Sequence, residues 1–149
     1  FKLIKNYIMT EFEIFQLANQ IYINNAIYTI AVILMTALAF YLIRRSKELN
    51  FPTYGKAILT FFCTFPLYFG LEVASYFSLN QKNTSFQLSE LKEAGVTLST
   101  VAESYITDVG YTVADGPASL APELPYIVMY ATIGIMFLAG IWIKTPEKS

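Results

Sequence analysis

Histidine is absent from all 149 residues of this chain, and cysteine occurs once, as Cys63. Without histidine the ordinary haem ligand is missing, as is the ligand most copper and zinc catalytic sites use. The usual nucleophile–base arrangement of a hydrolase is missing too. A lone cysteine excludes an intrachain disulfide, and inside an apolar run it reads as a small packing residue. Charge is also scarce: 14% of residues are charged, against about 25% in soluble domains, and the net charge is −1 with no basic cluster. Nucleic acid is therefore not an expected partner. The seven glycines are scattered and build no phosphate-binding loop. No metal site is expected, and no cofactor of the chain's own. Lipids are the expected companions, with pigments or metals only in partner subunits.

Hydrophobicity is plentiful. Three runs are long enough for the roughly 20 apolar residues a membrane-spanning helix needs. The first, 26–43, carries no charge and ends on Arg44 and Arg45. The second, 57–79, reads AILTFFCTFPLYFGLEVASYFSL, and the third is 125–143. The fold class that follows is an all-α integral membrane protein of one domain. Three transmembrane helices are expected, with a long, partly helical extramembrane loop between helices 2 and 3. Residues 1–25 read as an amphipathic amino-terminal segment, 44–56 as a basic hairpin, 80–124 as the loop and 144–149 as a tail. FKLIKNYI is too polar for a signal-peptide core and reads as an extension upstream of a start at Met9. Arg44, Arg45, Tyr126, Trp142 and Lys144 stand where interface anchors belong.

The second run organises the rest, because it carries Glu72 near its middle. A carboxylate at membrane depth costs about 2.5–3.5 kcal/mol on insertion scales unless it is paired, protonated or facing protein. Thr64, Tyr68, Glu72 and Tyr76 form one four-residue row, with hydroxyls above and below the acid. Gly70, Ala74 and Ser78 form another, a small-residue ridge that lets a second helix come close. At about 100° per residue the two rows lie roughly 200° apart. Protein is thus expected on both sides of this helix. Pro66 removes a backbone donor and predicts a kink, read either as a hinge or as a tolerated transmembrane proline.

Within 80–124, Thr84 to Gln87 fits a capping box opening a short helix that Gly95 stops. Thr100 with Glu103 predicts a second, reaching Tyr105 or Asp108. Val96, Leu98, Val101, Ile106, Val109 and Val113 are too few for an independent core, which predicts that the loop rests on a neighbouring surface. Its acids match no calcium-loop spacing. The first link and the tail hold six of the ten basic residues, while the amino-terminal segment and loop hold four against eight acids. The positive-inside bias then places the basic hairpin and carboxyl terminus in the cytoplasm and the amino terminus and acidic loop outside, in a plasma or inner membrane.

No catalytic motif is present, so the chain is not expected to be an enzyme. The leading expectation is an accessory or structural subunit of a larger membrane complex of the respiratory, photosynthetic or membrane-oxygenase kind. Its partners would be other integral-membrane subunits, packed through the second helix and the loop. The alternatives are a small ion- or proton-conducting homo-oligomer using Glu72, and a receptor or adhesion module acting through the loop.

Overall fold

A computed structural model describes residues 9–143, so expectations for residues 1–8 and 144–149, Lys144 among them, lie outside the described residues. The described residues form four α-helices: α1 (Glu11–Glu48), α2 (Thr53–Glu93), α3 (Thr100–Val109) and α4 (Leu124–Trp142), with a 3-10 turn at Val113–Asp115 before α4. Helices α1, α2 and α4 are each long and apolar enough to cross a membrane. At 38 and 41 residues, α1 and α2 reach about 57 and 62 Å, close to twice a bilayer's hydrocarbon thickness. Part of each must therefore lie beyond any bilayer it crosses.

The chain divides into two compact units. One joins the residues up to Asn25 to Tyr76–Ala121, and the other joins Ala26–Ser75 to the residues from Pro122 on. In the second unit, α1, α2 and α4 share one core. Its buried members come in pairs four residues apart: Ala39 and Ile43 from α1, Leu59 and Cys63 from α2, Phe137 and Ile141 from α4. One stripe of each helix thus meets the other two, and Phe40 adds an edge contact to Phe137 at 4.9 Å. Hydroxyls along these helices turn back onto their own carbonyls, Thr36 onto Val32 and Thr132 onto Val128, each at 2.8 Å. Those two hydroxyls are thereby satisfied within their own helices.

The first unit has a core of its own. Ile14 of α1, Leu88 and Leu91 of α2, Leu98 and Ala102 are buried together, with Phe15, Tyr105 and Ile106 packed against them. The neighbouring surface is this chain's own, supplied by the start of α1 and the end of α2. Past residue 79 the chain stays helical, and α2 runs unbroken to Glu93. The polar residues from Asn80 onward belong to this one helix, and their side chains hold other parts of the unit. Asn80 donates to the Ala18 carbonyl at 3.3 Å, and Ser85 donates to the Tyr111 carbonyl at 2.6 Å. Thr84 caps nothing, since its hydroxyl donates to the Asn80 carbonyl one turn back.

Helix ends follow local chemistry. Thr10 and Glu13 form a capping box ahead of α1. Asn50 takes a positive φ of 50° after α1, and Gly95 one of 84° after α2. Each follows the paired 6→1 and 5→2 bonding of a Schellman turn: Phe51 to Ser46 with Asn50 to Lys47, and Val96 to Leu91 with Gly95 to Lys92. Gly55, read as a turn residue, lies inside α2. The cap of α3 is Ser99, one residue before the expected Thr100. Its hydroxyl accepts from the Ala102 N–H and donates to Glu11 at 2.5 Å, while the Ser99 N–H bonds the other Glu11 oxygen.

These bonds from Ser99 hold the Glu11 carboxyl below the usual carboxylate range. A carboxyl lowered on folding adds stability above its ordinary range and loses it as pH falls through the lowered value. Ser99→Ala removes the cap and the hydroxyl's bond to Glu11 while keeping the backbone N–H bond, at a cost of about 1 kcal/mol. Hydrogen exchange across Thr100–Val109 should speed up roughly fivefold. Acidification of the wild type through the Glu11 titration should lower the protection of the same amides relative to their intrinsic exchange rates, and acid-insensitive protection would contradict the assignment.

Candidate functional site

The apolar middle of α2 has two faces of opposite character. Leu59, Cys63, Pro66, Gly70 and Ala74, spaced by three and four residues, are all buried. This face meets α4 in antiparallel order. The Trp142 ring N–H donates to the Thr60 hydroxyl at 3.1 Å, a Cβ added at Gly134 would touch Leu67, and the Tyr130 ring lies on the bare backbone of Gly70. A side chain at Gly70 would run straight into that ring. Gly140 plays the same part towards α1, where a Cβ would sit 2.8 Å from Ile43 Cγ2.

The small-residue ridge expected to receive another protein is thus occupied at Gly70 by the chain's own α4. Ala74, the next member, is buried in the same unit. Ser78, the third, belongs to the other unit, where it is buried and bonded. Pro66 lies on the inward face too, and α2 continues through it as unbroken helix.

The opposite row faces away from the unit's core. Thr64 is exposed and satisfies its hydroxyl on the Phe61 carbonyl at 2.7 Å. Tyr68 is 63% exposed, and Glu72 is half-buried. Among the described residues no side chain bonds or pairs with the Glu72 carboxylate. Tyr76, the last of the row, is exposed in the other unit.

The α2–α4 register fixes the acid's level. Moving two residues on from Gly70 brings Glu72 roughly opposite Val128, four residues inside the first residue of α4 and so about 6 Å from that end. It lies twelve residues, about 18 Å, from Thr60 and the Trp142 bond. The acid therefore sits in the third of the apolar layer farther from the basic hairpin rather than at its centre.

Beside Glu72 runs a feature the sequence reading missed. Phe61, Phe65 and Phe69 follow at intervals of four, with ring centroids 5.3 and 6.4 Å apart, and Tyr68 meets Phe69 edge-on at 5.4 Å. All four rings are exposed. The signal was the four-residue phenylalanine spacing itself, easily lost in a run where nearly every residue is apolar.

The expected anchors fall at helix ends. Arg44 and Arg45 are exposed and both reach Glu48, at 3.2 and 2.9 Å. Arg45 and then Arg44 hold that carboxyl below its usual range. Tyr126 is half-buried in the first turn of α4, and Trp142 is partly exposed in its last turn. Among the described residues, no three cysteine, aspartate or glutamate side chains converge as a metal site would require.

No protein-family model, no curated protein and no solved structure matches this chain. The fold defines its class: an all-helical chain with three helices suited to a membrane location.

The Gly70 contact gives a direct check on the register. Gly70→Leu overfills the α2–α4 seam and should destabilise the chain by about 1–3 kcal/mol. Tyr130→Ala in the same chain should recover part of that loss. Thermal unfolding in detergent measures both, and a Gly70→Leu chain as stable as wild type would contradict the packing.

Proposed function

We propose that this chain is an accessory, structural subunit of a larger integral-membrane complex, of an energy-transducing kind such as a respiratory, photosynthetic or membrane-oxygenase assembly. The chain itself performs no catalysis, and any pigment or metal belongs to companion subunits, since no histidine is present to hold one here. The observation that carries the reading is the outward row of Thr64, Tyr68 and Glu72 on a helix whose other face is already filled by α4. Acyl chains solvate a carboxylate poorly, so an apolar helix that turns one outward is best matched to another protein. The three apolar helices cross the bilayer, with the Arg44–Lys56 link and carboxyl terminus in the cytoplasm. The amino terminus and the folded 94–121 segment then stand on the far side of a plasma or inner membrane.

The core formed by Ile14, Leu88, Leu91, Leu98 and Ala102 removes one argument for a partner, because the segment after α2 needs no foreign surface to fold. It leaves a folded outer module that a soluble or membrane partner can contact. It also gives the receptor or adhesion alternative a structured surface, though one without disulfides.

A conducting homo-oligomer is the second reading, favoured by the lack of any partner for Glu72 among the described residues. Its weakness is the aromatic surface on either side of the acid, which offers no continuous path of polar groups. Two measurements separate the readings. After gentle detergent extraction, the subunit reading expects migration on native gels well above the 16.8 kDa monomer, with other membrane proteins in the band. A chain that runs only as a monomer contradicts it. In liposomes holding the purified chain, proton flux abolished by Glu72→Gln would establish the conducting reading, and no flux is expected.

A further inference from the structure

The outward face of α2 combines two elements that together specify what covers it. Phe61, Phe65 and Phe69 make a ladder of exposed rings, and Tyr68 and Glu72 stand beside its upper end. At about 100° per residue, Phe61, Phe65, Tyr68, Phe69 and Glu72 fall within a sector of about 100°, the width a single packed helix occupies. Glu72 is the only charged residue in the three apolar stretches 26–43, 57–79 and 125–143.

That last fact weighs against a second copy of this chain as the natural occupant. None of its apolar stretches holds a lysine or arginine to bring to the level of Glu72. Two copies meeting through the same face would set acid against acid, and like charges at close range repel most where water is least. An opposite charge from a different chain meets the requirement. Flanked by the Tyr68 ring, a guanidinium or ammonium would gain both a charge-assisted bond and an aromatic face.

Resting on the subunit reading above, we propose that the Phe61–Phe65–Phe69 ladder and the Tyr68–Glu72 pair dock a transmembrane helix of a different chain. That helix carries lysine or arginine level with Glu72. The ladder supplies contact area, and the single ion pair sets the depth at which the two helices lock. Because Glu72 lies about 6 Å inside the end of α4, the partner's basic group enters from near the membrane boundary.

Photo-crosslinking in the native membrane tests this. A benzoylphenylalanine placed at Phe61 or at Tyr68 keeps an aromatic side chain at an exposed position, so folding is preserved. Both probes should capture one helix of one other chain, and the Tyr68 adduct should map within two turns of a lysine or arginine. Glu72→Lys should then lower recovery of that partner at least about tenfold, and reversal of the partner's basic residue to glutamate should restore it. Capture of this same chain, of lipid alone, or of a helix without a basic residue overturns the proposal. Native gels distinguish its failure from that of the subunit reading. If lipid is captured while other membrane proteins still co-migrate, the chain is a subunit that docks elsewhere. If the chain migrates alone, both fail.

Discussion

Tyr130 lying on the bare backbone of Gly70 sets the rotation of α2, and that rotation decides which side of the helix every other residue presents. Any side chain at Gly70 would hold α4 away. With glycine there, the ridge can turn inward and α4 can follow it from Tyr130 to the Trp142–Thr60 bond. A helix has only one circumference. Once the Leu59, Cys63, Pro66, Gly70 and Ala74 side faces the core, the Thr64, Tyr68 and Glu72 side must face away. The outward acid follows from the inward glycine.

The two ends of the long helices solve different problems. Between residues 26 and 75, α1 and α2 bury narrow stripes against α4 and leave much of their apolar surface uncovered. In the other unit α2 carries polar side chains that bond to α1 and to the 111–113 segment. Asn80 bonds the Ala18 carbonyl, Ser85 bonds the Tyr111 carbonyl, and Ser89 accepts from the Val113 N–H. Along α2 the side chains thus change from apolar to polar within one continuous helix. Tyr22 and Tyr105 share a hydrogen bond at 3.0 Å in this unit, and burial there pushes the Tyr22 hydroxyl above its usual range.

Much of this was legible in the residues. Uninterrupted apolar length marks α4 and the middle of α1 and α2, because nothing but charge or proline competes with helix over such runs. Gly95 was legible as a stop, since only a residue tolerant of positive φ ends α2 that way. What was not legible depends on distant partners. Residues 80–83 look like loop and 84–94 like a separate short helix, because asparagine, serine and threonine favour turns and caps in isolation. They are helical, and their side chains find partners on α1 and on the 111–113 segment. The core around Leu88 and Leu98 was missed for the same reason: its members lie in three separate parts of the sequence. At the candidate site, both rows of α2 could be drawn from spacing alone. Which row faces the chain's own helices could not, since nothing in the order of residues announces that Tyr130 will take the place opposite Gly70.

The central claim is that the side of α2 bearing Glu72 is covered in the native membrane by a helix this chain does not supply. A nitroxide spin label at residue 68 measures that cover, since the native thiol at Cys63 is buried. In native membranes the label should be shielded from oxygen dissolved in lipid, and in the purified chain reconstituted alone it should become fully accessible. Equal and high oxygen accessibility in both preparations would show that the face meets only acyl chains, and would contradict the account.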